Sequence, residues 1–191
     1  VYSYKYYIGG TGVIQDSKIG TKYSIKTLLE DAIRYSDNIA YSMILDEIGG
    51  TENVQEYWNS LGYKITYTDD FGNLTPNLGN GYIKEIYKYY LTGNENAKKL
   101  ITDMENSMNL DYVQNNGVTI AHKYGEYVEG GGYYNDVSLV FTDHPFALSI
   151  LTTKGNGDTT KQFFLETHEK ALEFNKLYYE EKENYCLKKA L

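Results

Sequence analysis

Tyr35-Ser36-Asp37-Asn38 interrupts a helical pattern that resumes on its far side. Upstream, Ser24 offers an N-cap, and Ile25, Leu28, Leu29, Ala32 and Ile33 recur at helical spacing. Downstream, Ala40, Met43, Ile44 and Ile48 form an apolar stripe that Gly49-Gly50 stops. Serine, aspartate and asparagine all cap helices well, so taken alone the tripeptide need do no more than restart one.

On the N-terminal side, Val1 to Ile8 reads as extended, and Gly9-Gly10-Thr11-Gly12 as a tight loop. Those glycines are no phosphate cradle, because no Lys-Ser/Thr follows and no helix starts there. On the C-terminal side, Thr51 is expected to cap a helix carrying Val54, Trp58 and Leu61, ended by Gly62. Tyr63 to Asn73 reads as a short irregular segment containing Asp69 and Asp70. Thr75-Pro76 then sets a cap and a first-turn proline before a helix with Ile83, Ile86, Tyr87 and Tyr90 on its apolar face. Asn94 starts another, with Ala97, Leu100, Ile101 and Met104.

From Val118 the period changes. Val118, Ile120 and His122 lead into a strand ending at Lys123-Tyr124-Gly125. Gly130-Gly131-Gly132 turns it, Tyr133 to Thr142 and Phe146 to Thr153 follow as strands around Asp143-His144-Pro145, and the short turns imply an antiparallel meander. A long helix starts at Thr159, with Phe164, His168, Ala171, Leu172, Asn175 and Tyr178 on one face. Helices, then three strands, then a helix make an α+β chain. A mainly helical part, 1–117, and a strand-plus-helix part, 118–191, are expected to form one domain.

The bulk numbers exclude several functions. A net charge of -8 argues against a nucleic-acid partner. No apolar run approaches a membrane span, and the first residues do not read as a signal peptide, so a mature or trimmed chain is expected. Cys186 is the single cysteine, expected to be a partly buried small side chain; with no Cys/His spacing, no metal or other cofactor is expected. His122, His144 and His168 are not expected to act as a set. The 22 tyrosines include Tyr4, Tyr6, Tyr7, Tyr87, Tyr89, Tyr90, Tyr178 and Tyr179. Such side chains could suit a glycan- or peptide-binding surface, but compositional drift is the favoured account of them.

Gly-Thr-Gly-Val-Ile (Gly10 to Ile14), Leu28 to Ile33, Ser36-Asp37-Asn38-Ile39-Ala40 and Gly49-Gly50 resemble the class A β-lactamase and penicillin-binding-protein family of serine hydrolases. So do His122-Lys123-Tyr124-Gly125, with Lys123 placed 87 residues after Ser36, and the strands Tyr134-Asn135-Asp136-Val137 and Phe146 to Leu151. The resemblance implies a β-lactamase/transpeptidase-like fold, acyl transfer on an amide through a serine nucleophile, and a β-lactam or peptidoglycan-peptide-like ligand. It implies catalytic roles for Ser36, as proton relay to the leaving nitrogen, and for Lys123, as a cation beside it. Asn38 would meet the substrate's side-chain amide, Asp37 would fix the loop, Gly125 would let substrate lie against the strand, and Glu126 would offer a backbone N–H to the oxyanion. It also implies an extracytoplasmic parent.

Three departures qualify the resemblance. Tyr124 stands where the family pattern has Thr or Ser, and either donates to substrate or blocks the site. No Glu lies between Gly62 and Lys84, so the deacylating Glu-x-x-Leu-Asn loop is missing. No serine is followed three positions later by lysine; Thr167 to Lys170 has the spacing but lies in the tail helix. The expectation is a truncated C-terminal portion, inactive by itself, whose nucleophile falls before Val1. The alternative is a non-catalytic envelope glycan- or peptide-binding module on the same fold. Without the family's N-terminal strands, the edge of Phe146 to Thr153 is expected to pair with a second copy or to capture Val1 to Ile8.

Overall fold

The computed structural model describes residues 1–67, 71–113, 117–127, 132–155 and 157–190. Asp69, Asp70 and the Gly130-Gly131 part of the expected turn lie outside the described residues. Among the described residues, six α-helices and a three-stranded sheet form an α+β fold, as expected.

The helices begin where local chemistry offers a cap. Ser24 accepts from the Thr27 N–H to start α1, Ile25–Arg34, and Asp37 caps α2, Asn38–Glu47. Thr51 does not cap α3, Gly50–Ser60: Gly49 takes a left-handed conformation at φ 89° and starts the helix earlier, leaving Thr51 inside it. Thr75, with Pro76 behind it, caps α4, Pro76–Leu91, and Asn94 caps α5, Glu95–Glu105. The segment read as irregular holds a two-residue ribbon, β1 (Thr66–Tyr67) against β2 (Gly72–Asn73).

Val1 to Ile8 is not a strand. Tyr4–Tyr6 is a 3₁₀ turn, and Tyr2 pairs its backbone with Gly20 and Thr21 rather than with the sheet. The cause is apolar: the Tyr2 ring is buried among Ile14, Leu28, Ile39, Ala40 and Met43, so the segment follows its side chain into the helical layer.

The sheet is the expected meander, β3 (Thr119–Tyr127), β4 (Tyr133–Phe141) and β5 (Phe146–Thr152), all antiparallel. β3 continues past Gly125 to Tyr127. Alternation divides its side chains. Ala121, Val137, Leu139 and Ala147 face Ile83 of α4 and Ile101 and Met104 of α5. Ile120, Tyr124, Tyr134, Val140 and Ile150 pack with Tyr112 and with Phe164 of α6, Asp158–Ala190. α4 comes close at Gly79, where an added Cβ would lie 2.5 Å from Ser149 Oγ and 2.7 Å from Val137. Only the first two-thirds of α6 covers the sheet; residues 180–186 are exposed. Cys186 is therefore exposed, not partly buried, because its turn extends beyond the packed face.

Candidate active site

Ser36 is one of two non-glycine residues at positive φ among the described residues, at 51°. Such a conformation costs about 1–3 kcal/mol and persists only where the surroundings impose it. Here they do. The buried Asp37 carboxylate accepts three backbone N–H groups: Ala40 at 2.9 Å, Val13 at 2.6 Å and Ile14 at 2.8 Å. Thr11 Oγ1 donates to the Ser36 carbonyl (2.7 Å), and the Thr11 carbonyl accepts from the Asn38 N–H (3.2 Å). The Asn38 side-chain amide donates to the Gly9 carbonyl at 2.8 Å. Glycine is needed for this wrap. A Cβ on Gly12, at φ 138°, would sit 2.4 Å from the Asp37 carboxyl, and one on Gly10 would sit 2.6 Å from Asn38 Nδ2. The glycine loop, in sequence no more than a tight turn, is the brace of Ser36-Asp37-Asn38.

Across the cleft, β3 brings Lys123 to the same point. Its Nζ donates to Ser36 Oγ at 2.8 Å and to the Tyr124 carbonyl at 2.6 Å. Burial strips water from the ammonium and lowers its pKa from 10.5 to about 8, while the charge of Asp136 opposes the fall. The group is thus poised near neutral pH, next to a hydroxyl it can exchange a proton with.

The Tyr124 ring is buried, stacked on Tyr134 (6.0 Å, 13°) and 4.4 Å from Lys123 Nζ. Burial pushes its phenol up, and hydrogen bonding with Ser36 opposes that. Tyr124 is therefore part of the wall rather than an arm reaching into solvent. Gly125 and Glu126 continue the strand on its exposed rim, and a Cβ on Gly125 would meet nothing within 4 Å. So the protein's own packing does not require glycine there.

Among the described residues no His, Cys, Asp and Glu side chains group so as to hold a metal. His144 stands apart, stacked on Tyr179 at 3.7 Å. The other two histidines are less separate than their spacing suggests. His122 pairs with Asp136, and His168 on α6 feels the charge of both. In sequence Asp136 is legible only as part of a strand. Its one signal is an acidic residue in the inward phase of an otherwise apolar run.

The family model described as the β-lactamase enzyme family matches residues 1–171. A β-lactamase of Bacillus amyloliquefaciens is 26% identical over 162 residues, 76% of this chain and 53% of its own length. One of Streptomyces cellulosae is 29% identical over 170 residues, 76% of this chain and 52% of its own. The chain thus spans about half the length of these curated relatives. Among solved structures, PBP-A superposes with a TM-score of 0.73 at 17% identity, covering 88% of this chain and 69% of that one. The chromosome-encoded β-lactamase of Vibrio parahaemolyticus gives 0.68 at 21%, covering 85% and 69%. A point mutant of PBP-A is also known as an acyl-enzyme complex with penicillin G. With the family model matching residues 1–171 of the 191, the chain belongs to the β-lactamase enzyme family.

Proposed function

We propose that this chain supplies two walls of a penicillin-recognising serine hydrolase that transfers an acyl group from an amide. Ser36 relays a proton to the leaving nitrogen. Lys123 holds a positive field beside it and toward a substrate carboxylate, where burial leaves charge weakly screened. The observation that carries this is the 2.8 Å contact between Lys123 Nζ and Ser36 Oγ, made by residues 87 apart. Asn38, Gly125 and the Glu126 backbone line the ligand side, and Tyr124 replaces a small hydroxyl with a buried ring. The ligand is a β-lactam or a peptidoglycan-peptide-like amide, met outside the cytoplasm.

These 191 residues contain no Ser-x-x-Lys, so by themselves they form no acyl-enzyme. They also lack the Glu-x-x-Leu-Asn sequence, so an acyl-enzyme completed with a nucleophile would be long-lived, as in a penicillin-binding protein. A second reading, a binding module without chemistry, is favoured by Tyr124 filling the position of the family hydroxyl. A Ser-x-x-Lys encoded upstream of Val1 supports the enzyme, and a start codon there supports the module.

The test is intact-mass spectrometry after incubation with excess benzylpenicillin. The expected outcome is no adduct on this chain, and a persistent adduct once a Ser-x-x-Lys segment is supplied. A stoichiometric adduct mapped to Ser36 would overturn its assignment as relay, and rapid nitrocefin turnover by the completed chain would overturn slow deacylation.

A further inference from the structure

Behind β3, on the face turned away from Ser36, lies a sealed polar group in an otherwise apolar layer. Asp136, His122, Ser138 and His168 are each at most 1% exposed. Asp136 Oδ2 lies 2.6 Å from His122 Nδ1, and Oδ1 accepts from Ser138 Oγ at 2.6 Å. His122 Nε2 and both ring nitrogens of His168 have no hydrogen-bond partner among the described residues. Buried polar atoms left in this way cost stability, so a mere cross-strand staple is a poor account of the group.

Its position suggests another. Asp136 is the cross-strand neighbour of Tyr124, whose carbonyl takes a hydrogen bond from Lys123, and His122 is the residue before Lys123. One carboxylate thus sits directly behind the backbone that carries the site's ammonium. Its charge acts on that ammonium through buried, weakly screening protein and opposes the loss of the proton that burial favours.

We propose that Asp136, fixed by His122 and Ser138, is a positioning residue that keeps Lys123 a cation. Burial pulls the proton off Lys123 and the Asp136 charge holds it on, and the same charge raises the proton affinity of His168 on α6. The ionisable groups around this carboxylate are His122 and Tyr124 from β3, Tyr134 from β4, Tyr112 before the sheet and His168 from α6. Tyr124 and Tyr134 are pushed up by burial. Burial holds the His168 proton affinity down, the Asp136 charge opposes that fall, and a proton on His168 would offset part of the carboxylate's hold on Lys123.

The inference rests on the acyl-transfer reading only for its consequence, since the readout is the lysine's own proton. The Lys123 side chain is followed by 13C NMR against pH in labelled protein, with its resonance assigned through Lys123→Arg. The native midpoint is expected near 8. Asp136→Asn should lower it by roughly one unit or more. Ser138→Ala, which removes a hydrogen bond but no charge, should leave it in place. A folded Asp136→Asn with an unmoved midpoint, or a Ser138→Ala that moves it equally, would overturn the proposal. If Asp136→Asn does not fold, the native carboxyl carbon of Asp136 decides: a carboxylate at pH 7 supports the proposal and a protonated acid overturns it. Failure of penicillin to bind would leave all these titrations unchanged.

Discussion

Asp37 does more for the fold than the serine beside it. Its buried carboxylate satisfies three N–H groups from two separate segments. Asp37→Ala should cost about 3–4 kcal/mol in urea unfolding, since charge-assisted bonds are worth roughly 1.5–3 kcal/mol each and do not add fully. Ser36 carries strain. Ser36→Gly should be more stable than Ser36→Ala by about 1 kcal/mol, because both lose the hydroxyl and only glycine relieves the positive φ. Lys123 links the site to pH. Between its native value of about 8 and its ordinary 10.5, the unfolded chain binds more protons than the native one, so stability rises with pH across that window. Above about 10 the sign reverses, because burial pushes Tyr82 and Tyr134 up and the unfolded chain loses their protons first. Urea midpoints measured from pH 7 to 11 should therefore pass through a maximum, and Lys123→Met should remove the rising limb, worth about 2–3 kcal/mol.

At the scale of elements, the join between α4 and the sheet depends on the bare face of Gly79. Gly79→Val should destabilise by about 1–3 kcal/mol, as overpacking does, with a fall in thermal midpoint and no change in the Lys123 titration. The elements legible in sequence are those with local causes. Ser24, Thr75-Pro76 and Asn94 cap their helices whatever surrounds them, and the glycine-punctuated meander needs only alternation and turns. What escapes a sequence reading is set by distant partners. The first residues curl because the Tyr2 ring has a place among Ile14, Leu28 and Met43, and no local pattern carries that information. The glycine loop is legible as a loop but not as a brace, because its partner Asp37 is more than 20 residues away. In the site, Ser36 and Lys123 can be paired only through family resemblance. His122, Asp136 and His168 come from two strands and a helix, and only the packed structure puts them together.

For the whole molecule, the outer edge of β5 has no neighbouring strand among the described residues, and Val1 to Ile8 does not supply one. Open edges of this kind template pairing. Sedimentation at rising concentration should show self-association that Ser149→Pro in the edge strand reduces, whereas a clean monomer at millimolar concentration would count against edge pairing. The long span between the two halves of the site also governs the order in which they form. The Asp37 clamp closes loops of 23 and 24 residues, and the Lys123 contact closes one of 87. The entropy of closure differs by only about 1 kcal/mol, but the longer contact also waits for a strand, and non-local strand pairing is slow. During refolding the serine is expected to bend into its left-handed shape first and the lysine to arrive last, on a sheet that must already know its register, an order that pulsed hydrogen exchange would check.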